Sequence, residues 1–469
     1  MTSFGAWASA QARRIPASTS IDAPILLDIA ALVAFPILRT LANRSEGNDA
    51  LIGAWTVAVL VLAIRWPASG LGIAAAVMVF PQPIRLGLAP SIAIIAACSV
   101  GFALDLALRG QPNEVMRRRL AIVVAGVIGL AAATLVALFR SLLRLDPEIA
   151  VEAARRWIEF GAGLAFFLML LRAFSMGSKR PLIVGFIGIS ASLAIALTDF
   201  VAPTFLRSVR LSWLTPGESS RATGPFISPN RLGTVAGVVA IVGACQALFA
   251  RDRRWLWAGL LALGALALIA SFSRGALLGL VVAGGVVLAL RSRRVAARYV
   301  AAVGIVAIVV VPLFVWARLA GSGGTLDALL ENDKGRFDAW LAGVRMILAE
   351  PIFGHGFYAF RVLGESYGAT DGLQTAHNEF IGLWAESGVV AFAAYIVTAA
   401  GIVGCALERR ADPWAIVAIG ALTLFLVATC FNLQSIYLTV VGPVWLVIAY
   451  GIARPLTPAS VGLSDDRQS

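Results

Sequence analysis

The chain has 469 residues, of which 59% are hydrophobic and 14% are charged. Soluble domains carry roughly 25% charged residues, so an ordinary globular protein is excluded and a polytopic membrane protein, its backbone satisfied inside helices, is left. The net charge of +12 is almost all arginine, with Lys179 and Lys334 the only lysines; these arginines are scattered between apolar runs, which argues against a nucleic-acid partner.

A membrane span takes about 20 apolar residues. The first falls at 24–43, after Arg13 and Arg14, and lacks a clear small-x-small cleavage site, so it is expected to be retained. Further spans are predicted at 50–65, 68–81, 90–108, 119–140, 156–175, 181–200, 231–250, 255–272, 274–291, 297–318, 378–407, 413–431 and 434–453. That makes fourteen, or twelve if the short second and third form a re-entrant pair. Residues 141–156 carry mixed charge and suggest a short interfacial helix. With the N-terminus inside, almost every short inside loop is basic, as the positive-inside rule requires, and both termini are expected in the cytoplasm.

Three outside segments stand out: a polar loop at 201–230, a tight turn at 272–274, and the longest loop at 319–376, which opens with GSGG at 321–324. Within the last, Phe337, Trp340, Leu341, Val344 and Ile347 recur at helical spacing over 335–349, predicting an amphipathic helix on the outer boundary of the lipid bilayer. The tail at 457–469 reads as disordered. Cys98, Cys245, Cys405 and Cys430 lie in apolar stretches without CxxC spacing, so neither a disulfide nor a metal site is expected.

Each outside segment brings an arginine to a membrane end. Arg274, in SFSRGALLGL, interrupts an apolar hairpin on the side where topogenic charge is not expected; it either snorkels to headgroups or serves a site. Arg336, in GRFDAW, either pairs with Asp338 or Glu331 on a solvated face or grips an anion. Arg221 lies in a turn shaped by Pro225 and Pro229, where it meets lipid phosphate or solvent, and Asn230 is expected to cap the next span. His377 opens HNEFIGLWAESG, where the long polar loop meets an apolar run. An imidazole there can work as an acid or base, or simply as an interfacial cap. Glu379 is close by, whereas Glu386 lies about 14 Å further along a helix axis, too deep to orient His377. His355, among glycines in PIFGHGFYAF, reads as a turn residue. No carboxylate stands at ligand spacing from the two histidines, so no metal is expected. Walker A, GxSxG and HExxH sequences are all missing, which points to a donor already embedded in the membrane.

In order, RATGPFISPN at 221–230, SRG at 273–275, GRFDAWLAGVRMILAEPIFGHGFYAF at 335–360 and HNEFIGLWAESG at 377–388 resemble the O-antigen ligase and polymerase family of bacterial inner-membrane glycosyltransferases. The resemblance covers about residues 220–400; the first half of the chain is similar only in being apolar spans. It implies an α-helical lipid-linked glycosyltransferase of the GT-C-like type, with a periplasmic active site and no cofactor or metal. It implies a glycan donor on undecaprenyl diphosphate. The acceptor would be lipid A-core for a ligase or a second lipid-linked repeat for a polymerase. Arg274 and Arg336 match the motif arginines and would grip the diphosphate, with Arg221 beside them. His377 matches the motif histidine and would take the acceptor's proton in a direct, inverting displacement. Asn230, Ser273, Asn378 and Gly388 would support these motifs. The modest loop at 319–376, with no appended domain, favours a ligase over a protein O-oligosaccharyltransferase, and the missing inverted repeats disfavour a transporter.

Overall fold

A computed structural model describes residues 25–34, 49–79, 90–109, 118–204, 221–249, 253–298, 301, 326–370 and 374–455. The expected span at 297–318, the GSGG segment and the tail at 457–469 fall wholly or mostly outside these residues.

The described residues form an all-α polytopic membrane protein. Its principal helices are α1 (Ile25–Ala34), α2 (Asp49–Arg65), α3 (Pro67–Val77), α4 (Pro90–Arg109), α5 (Arg118–Arg144), α6 (Pro147–Ser175) and α7 (Arg180–Val201). After these come α8 (Pro229–Phe249), α9 (Arg254–Ser271), α10 (Arg274–Arg291), α11 (Leu326–Ala349), α12 (Glu379–Glu408), α13 (Pro413–Thr429) and α14 (Leu438–Ala453). Seven of them, α5 to α10 and α12, are long and apolar enough to cross a membrane.

The centre is made by α14, nearly all of whose residues are buried, and α13, most of whose residues are, with α8 against them. Around this centre α9 packs on α8, α10 on α13, α12 on α5 and α6 on α14. Helix crossings are close where side chains are small: a Cβ on Gly264 would stand 2.6 Å from the Ala240 nitrogen, so only glycine lets α8 and α9 approach this far. Outward faces carry Val61, Ile128, Val136, Leu266, Ile269 and Val390, all exposed. Such faces would aggregate in water but are at home against lipid.

Three elements differ from the sequence expectation. No separate interfacial helix exists at 141–156, because α5 runs to Arg144 and α6 starts at Pro147. Glu152 pairs with Arg155 at 2.7 Å and Arg156 at 2.9 Å, and Arg156 with Glu159 at 3.1 Å, so the charges neutralise one another at helical spacing and α6 continues through them. The loop helix begins at Leu326, earlier than 335. The last helix begins at Leu438, and residues 434–437 instead form a turn that holds part of the site.

Candidate active site

The α9–α10 turn is built to a tight specification. Phe272 takes a left-handed conformation (φ 48°) to end α9, leaving carbonyls at a helix C-terminus that need donors. Arg221 supplies them: its Nε donates to the Ser271 carbonyl at 2.9 Å and its Nη2 to the Phe272 carbonyl at 3.1 Å. The same Nη2 donates to the Asn230 Oδ1 at 3.3 Å. A cation is also favoured here by the helix dipole. Arg221 is therefore the brace of the turn that presents Arg274. Asn230 does not cap α8 as expected. Pro229 is already the first helical residue, its fixed φ suited to that place, and Asn230 serves as an acceptor for Arg221.

Ser273 is buried, and its backbone nitrogen donates to the Ser271 Oγ at 3.2 Å. Gly233 of α8 packs directly on it: a Cβ there would come 2.5 Å from the Ser273 Cβ. With its neighbours wedged this way, Arg274 emerges exposed at the first position of α10.

At the start of α12 the cap is Asn378, not His377. Its Oδ1 accepts from the backbone nitrogens of Phe380 at 3.0 Å and Ile381 at 3.2 Å, satisfying two of the orphan donors of a helix N-terminus. His377, one residue earlier, takes a left-handed conformation (φ 49°), and its side chain lies beside that of Asn432. Burial pushes the His377 imidazole below its ordinary pKa, the charge of Arg336 pushes the same way, and Asn432 pulls back up. The net direction is down, so the ring is neutral at neutral pH.

These parts meet at a cavity of about 260 Å³. Arg221, Asn230, Arg274, Arg336 and Asn432 give it polar walls; Phe272, Leu278, Phe337, Trp340 and Phe431 give it apolar ones. No acidic residue is among its described lining residues. Three guanidinium groups and the N-terminal end of α10 make it a place for an anion. His377 stands beside this cavity, next to Asn432 in its wall. Phe337 and Trp340, expected on a lipid-facing stripe, instead line the cavity. The faces of α11 separate accordingly: Ala339, Ala342 and Met346 are buried against the body, while Phe337, Leu341, Val344 and Leu348 are exposed.

The remaining motif residues form a lock. Gly388 interrupts α12 with φ 78° and ψ 177°, a region open essentially to glycine alone. A Cβ there would overlap the Ile352 carbonyl. The PIFGHG loop seats in this kink: Val389 nitrogen donates to the Pro351 carbonyl at 3.0 Å, His355 nitrogen to the Ala385 carbonyl at 3.0 Å, and Gly356 nitrogen to the Glu386 carbonyl at 2.9 Å. Glu386 accepts from the Phe360 nitrogen at 3.0 Å. His355 is buried with its Nε2 3.0 Å from the Met346 carbonyl, closing the loop onto α11.

Sequence reasoning missed Asn432 and the work of Glu379. The signal was present: Asn432, Gln434 and Ser435 break the apolar run between the last two helices, where a plain hairpin would need no such cluster.

Residues 259–396 match the family model described as O-antigen ligase. The chain carries an O-antigen ligase family domain. That domain takes in most of α9, all of α10 and α11, and α12 beyond its kink, and so holds Arg274, Arg336, His377 and Gly388. It supports a glycosyltransferase of the ligase and polymerase kind. Arg221, Asn230 and Asn432 complete the cavity from outside the matched segment. No curated protein matches the chain.

Proposed function

We propose that this protein transfers a glycan from undecaprenyl diphosphate to a sugar hydroxyl of lipid A-core, at the periplasmic face of a bacterial inner membrane. The observation that carries this is the cavity joining Arg221, Arg274 and Arg336 to the Asn432–His377 pair. The arginine-rich short loops support a topology with the opposite end of the bundle, and both termini, in the cytoplasm.

In the reaction, the acceptor hydroxyl oxygen attacks the anomeric carbon from the side away from the phosphate, and the carbon–oxygen bond to the diphosphate breaks. The configuration at that carbon inverts. Arg274 and Arg336 take up the negative charge that grows on the leaving diphosphate, where fixed donors in a partly dry site act most strongly. Arg221 holds Arg274 in place. Neutral His377 accepts the hydroxyl proton as the new bond forms, and the proton then passes to water. Proton and charge are both handled by side chains, so transfer is expected to persist in EDTA.

The test is transfer by purified protein from an undecaprenyl diphosphate-linked glycan, with lipid A-core or a second lipid-linked glycan offered separately. Product on lipid A-core supports the ligase assignment. Lengthened lipid-linked glycan makes the protein a polymerase. Undiminished transfer by a folded His377→Ala protein would remove His377 from the mechanism.

A further inference from the structure

Asn432 and Glu379 sit on different helix ends yet form one unit around His377. The Glu379 side chain, 2% exposed, reaches the turn between α13 and α14. One carboxylate oxygen accepts from the backbone nitrogens of Gln434 at 2.9 Å and Ser435 at 3.1 Å, and the other accepts from the Ser435 hydroxyl. A carboxylate taken this far from water is costly unless well bonded, and here its bonds go to the turn that presents Asn432. Asn432 in turn lines the cavity and stands beside the His377 ring. Glu379 itself is two residues from His377. A closed loop of contacts therefore runs from His377 to Asn432, along the 432–435 turn, and back through Glu379 to the start of α12.

We infer that Asn432 is the positioning residue for His377, its amide oxygen accepting the N–H of one ring nitrogen so that the other is held unprotonated toward the acceptor hydroxyl, and that Glu379 fixes the turn on which Asn432 stands. This rests on the assignment of His377 as the base. An imidazole has two tautomers, and the bond made at one nitrogen decides which lone pair is free. A neutral amide suits the task here, because it orients the ring without adding a carboxylate to a cavity meant for a diphosphate. The charged groups around this unit are Arg221, Arg274 and Arg336, which line the cavity with Asn432, and Glu379, two residues along the chain from His377. Asp338 is engaged by the Thr370 hydroxyl at 3.0 Å, and Arg336 acts on the ring by its charge.

Two measurements on full-length protein in nanodiscs test this. The first needs no substrate: NMR titration of the ring with labelled histidine, assigned by His377→Ala, since the chain has only one other histidine, His355. Asn432→Asp puts a carboxylate where the amide oxygen was and is expected to raise the His377 titration by about 1–3 pH units. Asn432→Ala removes the bond and is expected to lower it. The second is transfer kinetics with an undecaprenyl diphosphate-linked glycan. Asn432→Ala is expected to lower kcat about 10- to 100-fold, as loss of an orienting partner does, with KM for the donor unchanged. Glu379→Gln is expected to give a similar loss, and the double variant to be no worse than Asn432→Ala alone. A His377 titration unmoved by Asn432→Asp, or independent losses in the double variant, would overturn the inference. Should Glu379→Gln fail to fold, the two Asn432 variants still decide the pairing. If His377→Ala is inactive while Asn432→Asp leaves the titration in place, the base assignment survives and only the positioning role falls. Full transfer by His377→Ala with the titration shifted as expected would have the opposite meaning.

Discussion

Arginines gather at both ends of the bundle, and the two gatherings are built differently. At the end where α12 finishes, Arg409 is buried and donates to the Ile452 carbonyl at 2.5 Å and to the Arg454 carbonyl, while Arg454 pairs with Asp412. Asp412 also caps α13 through the Trp414 nitrogen at 3.0 Å. Nearby, Arg119 bonds the Gly404 carbonyl at 3.0 Å and pairs with Glu408 at 2.7 Å. Arg119, Arg409 and Arg454 are thus each answered by a carboxylate or a main-chain carbonyl. At the other end Arg221, Arg274 and Arg336 face one cavity whose described lining holds no acid. Abundance of arginine thus says little by itself. Convergence on a shared cavity is what separates a site from a staple.

Reversing charge should expose this difference most sharply. Arg274→Glu or Arg336→Glu is expected to cut transfer by about 10²–10³-fold, the scale on which a fixed donor to developing charge works. Folding should be unaffected for Arg274, which is exposed. Donor use at the wild-type rate by either folded variant would dissolve the diphosphate clamp. The contrasting substitution is Arg409→Ala. It removes the donors to the Ile452 and Arg454 carbonyls, and a buried acceptor left without its donor costs about 1–3 kcal/mol. Thermal unfolding in detergent should show the loss, whereas the folded fraction should keep its donor KM. A changed KM with unchanged stability would erase the distinction between the two ends.

The division between legible and hidden features follows the same line. Apolar runs are long and strongly periodic, so α5, α7 to α10 and α12 could be read from the sequence within a few residues, whereas α6 begins nine residues before the expected 156. His377, Arg274 and Arg336 stood out because polar groups at span ends are conspicuous against an apolar background. What the sequence hid was partnership. Nothing in the spacing of Arg221 reveals that it would close carbonyls fifty residues away at Ser271 and Phe272. Glu379 read as one more polar residue beside His377, although its carboxylate bonds a turn fifty-five residues later. Ion pairs at i,i+3 and i,i+4 carried α6 through a stretch that composition alone marked as surface. Long-range hydrogen bonds leave no periodicity, and these carry the site.

A smaller effect is expected in pH dependence. Because burial and Arg336 depress the His377 pKa, the unprotonated, working form persists to lower pH than for an ordinary histidine at about 6.5. The acid limb of kcat/KM should therefore fall below that value. An acid limb above it would mean that the ring is held protonated and acts as a donor instead.

The smallest effect is expected where an ion pair lies at the site's end of the bundle without belonging to the cavity. Glu350, just after α11, takes Arg140 and also Arg144 at 2.9 Å. Its side chain is 34% exposed, so solvent screens the pairs, and each is worth about 0.2–1 kcal/mol. Burial pushes the Glu350 pKa up, but the Arg144 hydrogen bond and the charges of Arg140 and Arg144 outweigh it, and the net direction is down. A carboxyl depressed on folding adds stability that is present above its unfolded pKa, about 4.3, and is lost as pH falls through the lower folded value. Glu350→Gln should therefore lower Tm slightly at neutral pH and converge with the unmodified protein in acid, with transfer unchanged. If Glu350→Gln instead abolished transfer at unchanged Tm, the arginines of α5 would have to be counted with the cavity, and convergence on the described lining would no longer mark the limits of the site.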